Sequence, residues 1–310
     1  LTLDAIDAHV GAQTNPRKSM LATAVDLVTR LDLETIEVDI FRGNSPQNSW
    51  KRVFGGQVIA QALVAASRTV EGRAPHSLHG YFMLPGDPLA PIVFEVDRIR
   101  DGKSFTTRRV NAIQHGKAIF SLSASFQVEE QGVEHSLPMP AAPDPDTLAD
   151  PIDLLRFAGE KAQQRLQAFF DRIRPIEIRP IDLSRYAPGA RGVPREPRQS
   201  SWIRIAGRLP DDPAIHRAAL AFLSDMTLID TALVAHGFAV SDPEFQVASL
   251  DHALWFHRPC RADEWLLYAQ DSPNSGGSRG LTRGLLYSRS GALVASVAQE
   301  GLIRRRRENS

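Results

Sequence analysis

The chain has 310 residues, with 36 basic and 36 acidic side chains and a formal net charge of zero. That length suffices for two ordinary domains and a sizeable core, and the balanced charge excludes a global field that would gather nucleic acid or an acidic membrane. A single cysteine, Cys260, excludes an internal disulfide, and no CxxC or Cys/His cluster at zinc spacing is present, which suits a reducing cytoplasm and no bound metal.

The opening residues, LTLDAIDAHV, carry acidic groups and lack a basic n-region, so no signal peptide is expected there. The apolar runs are too short to span a membrane. Residues 1–18 read as a polar, weakly structured lead, and residues 18–31 as a helix. Residues 36–41 alternate as a strand, and GNSPQN at 43–48 is a loop. FGGQVIAQALVAAS, at 54–67, predicts a buried helix, since Val58, Ile59, Ala62, Leu63 and Ala66 share a face. From His76 the period changes. HSLHGYFM, PIVFEVDRIR, SFTTRRVNAIQ and KAIFSLSASFQV predict an antiparallel meander of four strands.

Residues 133–150 are rich in Pro, Ala and Asp and read as a linker, followed by an amphipathic helix at 151–173. Residues 176–181 and 201–205 predict strands around a Pro/Gly/Arg loop. LSDMTLIDTALVAH, at 223–236, predicts a second buried helix through Leu223, Met226, Ile229, Leu233 and Val234. Asp225 would sit near its start, where the helix dipole favours a carboxylate; a plain cap residue is the bland alternative. VASLDHALWFH, EWLLYAQD, SRGLTRGLLYS and ALVASVAQEGLIR then predict four more strands.

The halves overlay. QALVA at 61–65 matches TALVA at 231–235, Ser77-Leu78 matches Ser249-Leu250, and Gly116 matches Gly291. Each half is one long helix before one antiparallel sheet, and the helix is the only local partner for the sheet's apolar face. That is an α+β double hotdog: two helix-wrapped sheets in one chain, joined into a continuous sheet. The expected division is a lead at 1–18, an N-terminal hotdog at 19–130, a linker and helix at 131–173, and a C-terminal hotdog at 174–307. In the overlay Asp225, Ser249 and Gln299 stand opposite Gly55, Ser77 and Ala124. An acid, a hydroxyl and an amide therefore gather in the second half, and the first half cannot do the same acid/base work.

FGGQVIAQAL, HSLHGYFMLPGDP, RDGKSFTTRRVNAIQ, LSDMTLID, SLDHALWFHRP, EWLLY and AQEGLIR, in that order, resemble the acyl-CoA thioesterase II (TesB-type) family over roughly residues 30–305. The resemblance implies a double hotdog that hydrolyses medium- to long-chain fatty acyl-CoA to free fatty acid and CoA. It implies a water held by Asp225, Ser249 and Gln299, with Ser249 standing where some members carry Thr. It also implies no cofactor and assembly into homodimers or tetramers. Another hotdog acyl-CoA enzyme, a hydratase or dehydratase, and a non-catalytic acyl-CoA binding protein are the alternatives.

Several features read as decoys. Gly276-Gly277-Ser278-Arg279-Gly280 matches the G-x-S-x-G nucleophile elbow, but strand-like text follows it, so it reads as a hairpin. Cys260 reads as a small packed residue. His76 and His79 read as polar positions at the join of the halves, and Asp251 and His252 as supports for the strand carrying Ser249. The basic run at 304–307 reads as a solvated tail, with contact to the CoA phosphates as the sharper alternative.

Overall fold

The computed structural model describes residues 16–45, 52–148, 175–184 and 189–306. The expected helix at 151–173 lies outside the described residues. Helix α1 (Pro16–Leu31) leads into a short hairpin, β1 (Glu34–Glu37) and β2 (Ile40–Gly43). A single strand was expected over 36–41; Asp39, at φ 61°, turns the chain there and divides it. Helix α2 (Gly55–Ser67) follows, then β3 (Ala74–Phe82), β4 (Ile92–Asp101), β5 (Phe105–Gln114) and β6 (Lys117–Gln127).

The second half opens with β7 (Ile176–Pro180) and β8 (Arg198–Ile205). Next come helix α3 (Pro213–Ser224) and the single turn α4 (Thr231–Val234). Strands β9 (Phe245–Ser249), β10 (Asp251–Phe256), β11 (Leu266–Gly276), β12 (Arg279–Ser288) and β13 (Leu293–Arg305) complete it. All these strands form one sheet in the order β1-β2-β4-β5-β6-β3-β10-β13-β12-β11-β8-β7, with β9 paired to β13. The halves join edge to edge through antiparallel β3 and β10, with Leu78 opposite Leu254. This pairing removes an exposed edge from each half. Both leucines are fully buried in one core that runs under the join and includes α2 and α3. The expected double hotdog is the fold observed.

Between the halves the chain is drawn across the second sheet rather than left free. Pro143 accepts a bond from the Trp202 indole N–H at 2.9 Å, and Met139, Ala142 and Leu148 pack against a separate cluster around Trp202 and Trp265. Among the described residues no helix is long and apolar enough to cross a membrane.

Residues 223–236 do not form the single helix that their period predicts. Helix α3 ends at Ser224, Thr227 adopts a left-handed φ of 62°, and α4 resumes only at Thr231. A β-branched residue in that region costs about 1–3 kcal/mol and persists only where its surroundings enforce it. Here the strands do so, because the carbonyls freed at a helix end need donors. The Tyr268 hydroxyl donates to Ser224 O at 2.6 Å, Gln270 Nε2 to Met226 O at 3.3 Å and Gln199 Nε2 to Thr227 O at 3.0 Å. Side chains from β8 and β11 thus replace the hydrogen bonds that a continuous helix would make.

Candidate active site

The break fixes the place of Asp225. It is the C-cap of α3, not a residue near a helix start, so its own helix turns the negative end of its dipole toward it. The favourable helix end comes from the other half. Phe54 precedes α2 and offers no side-chain cap, and the Gly56 N–H of the first turn bonds to the Asp225 carboxylate. Asp225 thereby caps α2 across the join of the halves. The approach requires glycine: a Cβ on Gly55 would stand 2.7 Å from Asp225 Oδ2 and 2.9 Å from the Phe82 ring.

The second strand pair brings the rest. Ser249 ends β9 opposite Gly301 of β13, whereas Ala253 of β10 lies opposite Ala298. One extra residue is therefore accommodated between them, a bulge at Leu250. Leu250 N–H reaches Glu300 O at 2.9 Å, and its own carbonyl accepts from Phe82 N–H at 2.9 Å. The Glu300 N–H is taken by Asp251 Oδ1 at 2.6 Å. That gives Asp251 a structural role. The bulge also turns Ser249 and His252 to the same face, though a regular strand would place residues three apart on opposite faces. Gly301 leaves room for the break: a Cβ there would collide with Ile229 at 1.9 Å.

Gln299 lies at the centre of what results. It is 1% exposed, and its Nε2 donates to Ser249 Oγ at 2.7 Å. Its Oε1 meets His252 Nδ1 at 2.7 Å, and its side chain also bonds to Asp225. Burial pushes the Asp225 carboxyl up to about 7, against an ordinary 3.8, and outweighs the Gly56 N–H and the Gln299 amide, which pull the other way. Its Oδ1 is buried and has no hydrogen-bond partner, while the residue as a whole keeps some accessible surface. Buried His252 is drawn down to about 4 and is neutral. The Phe82 ring and the Asp225 carboxylate both crowd Gly55, and Phe54 packs edge-on to Phe222 at 5.1 Å beside Gly56. A carboxylate near neutrality, with one unpaired oxygen and an amide-hydroxyl pair beside it, is equipped to take a proton from a bound water.

The three expected residues are thus brought together. Nothing local in the sequence marks the α2 N-terminus, Ser224 or Tyr268 as parts of this centre, and His252, expected as a support for the strand, bonds directly to Gln299. The Ser-Asp and Asp-His dipeptides at 224–225 and 251–252 are the nearest thing to a signal. The glycine-rich hairpin and the packed cysteine are as expected; the basic run is not. Gly277 and Ser278, at φ 57° and 62°, form a two-residue turn of the primed type between β11 and β12. Burial pushes the Cys260 thiol up to about 12, leaving negligible thiolate. His76 Nε2 meets Ser125 Oγ at 2.8 Å, and His79 packs edge-on to Trp255 across the join. The basic run is not a free tail: Arg304 and Arg305 belong to β13, and Arg305 pairs with Glu244 at 3.1 Å. Arg307 lies outside the described residues.

Two family models match the chain: "Acyl-CoA thioesterase N-terminal domain" over residues 44–127 and "Acyl-CoA thioesterase" over residues 167–302. Human acyl-coenzyme A thioesterase 8 is 41% identical over 93% of this chain and 90% of its own length. Acyl-CoA thioesterase 2 of Haemophilus influenzae is 40% identical over 90% of this chain and 97% of its own. Among solved structures, the acyl-CoA thioesterase II TesB2 of Mycobacterium marinum is 45% identical, with a TM-score of 0.75 over 90% of this chain and 98% of that one. A hotdog protein of Alicyclobacillus acidocaldarius, 19% identical with a TM-score of 0.70 over 91% of this chain and 99% of that one, shares the fold. With models matching in both halves and relatives matching over nearly their whole length, the chain belongs to the acyl-CoA thioesterase family and is a thioester hydrolase.

Proposed function

We propose that Asp225, Ser249 and Gln299 hold and activate the water that hydrolyses a medium- to long-chain fatty acyl-CoA. Water attacks the thioester carbonyl carbon, and Asp225 accepts its proton. The C–O bond forms and the C–S bond breaks, releasing fatty acid and the CoA thiolate, which then takes up a proton. A thioester carbonyl is electrophilic and thiolate leaves readily, so a positioned water and a base suffice without a covalent enzyme intermediate. The observation that carries this reading is the unpartnered, buried Oδ1 of Asp225 in a carboxyl raised to about 7, joined through Gln299 to Ser249. The positive end of α2 lies at the same spot and favours negative charge developing on the carbonyl oxygen. His252 has both ring nitrogens engaged, by Gln299 and Ser224, and offers neither to a substrate as a hydratase base would. The same reading takes the enzyme as cytoplasmic and oligomeric, a dimer or tetramer, which light scattering of the purified protein tests.

The test follows free-thiol release from palmitoyl-CoA and from a short-chain acyl-CoA, with wild type and Asp225→Asn side by side. Release by wild type on the longer substrate, lost by several powers of ten in the variant, is the expected result. Equal rates would remove Asp225 as the base. Stoichiometric binding of palmitoyl-CoA without thiol release would identify a binding protein instead.

A further inference from the structure

We propose that His252 is a positioning residue that holds the Gln299 amide with its NH2 end toward Ser249 and Asp225. The inference rests on the reading of Asp225, Ser249 and Gln299 as the water-activating group.

An amide has two nearly isosteric ends, one a donor and one an acceptor. Only the donor end suits this site, because a carboxylate and a hydroxyl oxygen both accept from it. A reversed Gln299 would turn its carbonyl toward Asp225, two acceptors facing each other in a buried place. Ser249 does not select the orientation, since a hydroxyl donates as readily as it accepts. His252 does. It meets Gln299 Oε1 at 2.7 Å through Nδ1: with the NH2 end drawn to the Asp225 carboxylate, the carbonyl is left to accept, and an Nδ1 that carries the hydrogen locks it there. The ring is neutral because it is buried, so Nε2 presents a lone pair. That lone pair faces the Ser224 hydroxyl at 2.8 Å. The same hydroxyl lies 2.8 Å from Ala221 O, a second acceptor within its reach.

The chain of bonds runs from Ser224 to His252, then to Gln299 and on to Ser249. Ser224 immediately precedes Asp225, so one stretch of backbone places both the base and the hydroxyl that faces the imidazole. The loop ties the helix break to β9, β10 and β13. Ser224 and His252 are both fully buried, which shuts out water as a substitute donor. The titratable groups turned toward this centre are Asp225 at the end of α3, Tyr268 from β11, which keeps its proton and donates to Ser224 O, and neutral His252 itself.

Two substitutions separate positioning from mere packing. In His252→Asn, the shorter amide reaches the place of Nδ1 and still donates to Gln299. In His252→Gln, the longer amide reaches the place of Nε2, keeps the Ser224 contact and leaves Gln299 Oε1 without its donor. Steady-state kinetics on palmitoyl-CoA across pH 5–9, with melting temperatures, reads both. The expected result is kcat within about fivefold of wild type for Asn, and a fall of about 10–100-fold for Gln with KM little changed. The acid limb of the kcat profile should move to higher pH in Gln alone, because a reversed amide disfavours the carboxylate. Equal kcat in the two variants, or a slower Gln variant with an unmoved acid limb, would overturn the proposal and leave His252 a packing residue. Asp225→Asn measured in parallel keeps the two failures apart. If it is fully active, the water-activation reading itself falls; if it is inactive while both His252 variants match wild type, only the role of His252 falls.

Discussion

Replacing Asp225 with Asn should make the protein more stable at pH 8 while abolishing its activity. The carboxyl is raised to about 7 from an ordinary 3.8, so the folded state holds this proton more tightly than the unfolded chain does. Below the unfolded value both states are protonated and the group contributes nothing. Between the two values the unfolded chain ionises first, and native stability falls with rising pH by about 1.4 kcal/mol per pH unit. Above the folded value both states are ionised and the full cost, about 4 kcal/mol, is in place. Asn is neutral throughout, keeps an oxygen for the Gly56 N–H and loses only the charge-assisted part of that bond, about 1 kcal/mol. The variant should therefore gain on wild type by about 2–3 kcal/mol between pH 5 and pH 8, whatever its offset at pH 5. Urea denaturation of both proteins at pH 5, 6, 7 and 8 measures this directly, with m-values compared to confirm that the unfolding transition is the same. A constant difference across that range, or a variant that loses ground as pH rises, would show that the carboxylate is not ionised at a cost. The cap on α2 would then be its main role.

The remaining expectations concern the same centre and its supports. The thioesterase rate should fall as pH drops through about 7, as Asp225 takes up its proton, and the limb should vanish in any residual activity of Asp225→Asn. Gly55→Ala forces a Cβ to within 2.7 Å of Asp225 Oδ2 and should lower kcat about a hundredfold through displacement of the base; a Gly55→Ala enzyme of unchanged kcat would refute that close approach. Cys260 should react with an alkylating reagent at pH 8 at least about tenfold more slowly in the native protein than in urea, and Cys260→Ser should keep wild-type thiol release. Leu254→Ala, which opens a cavity under the join of the halves, should cost about 2–5 kcal/mol in the same denaturation assay.

Much of this was legible in the residues. Strands β3 to β6 lie close to where alternation placed them, because a half-buried strand writes its two faces into its own text. Helix α2 was legible for the same reason at helical period. The join of the halves followed from the repeat, since two similar sheets with open edges pair with each other. The helix over 223–236 was the main misreading. Its apolar residues keep their period through the break, but period reports burial and not the hydrogen bonds of the backbone. Those bonds are supplied by Tyr268, Gln270 and Gln199, which lie tens of residues away in the chain. The hairpin at β1 and β2 was missed on a smaller scale, through a left-handed aspartate that local pattern does not mark.

By itself the sequence determined the two-fold repeat, the helix-and-sheet composition of each half, and the presence of an acid, a hydroxyl and an amide in only one of them. Only the tertiary structure decided that these three meet. The helix end that stabilises Asp225 belongs to the other half, 169 positions away at Gly56. The face on which Ser249 and His252 both lie is set by a bulge that no residue type announces. The proton affinity of Asp225 is set by burial among residues from both halves. Local sequence carries the periodicities that bury a strand or a helix, but desolvation, a borrowed helix dipole and a shared amide exist only between segments that folding has brought into contact.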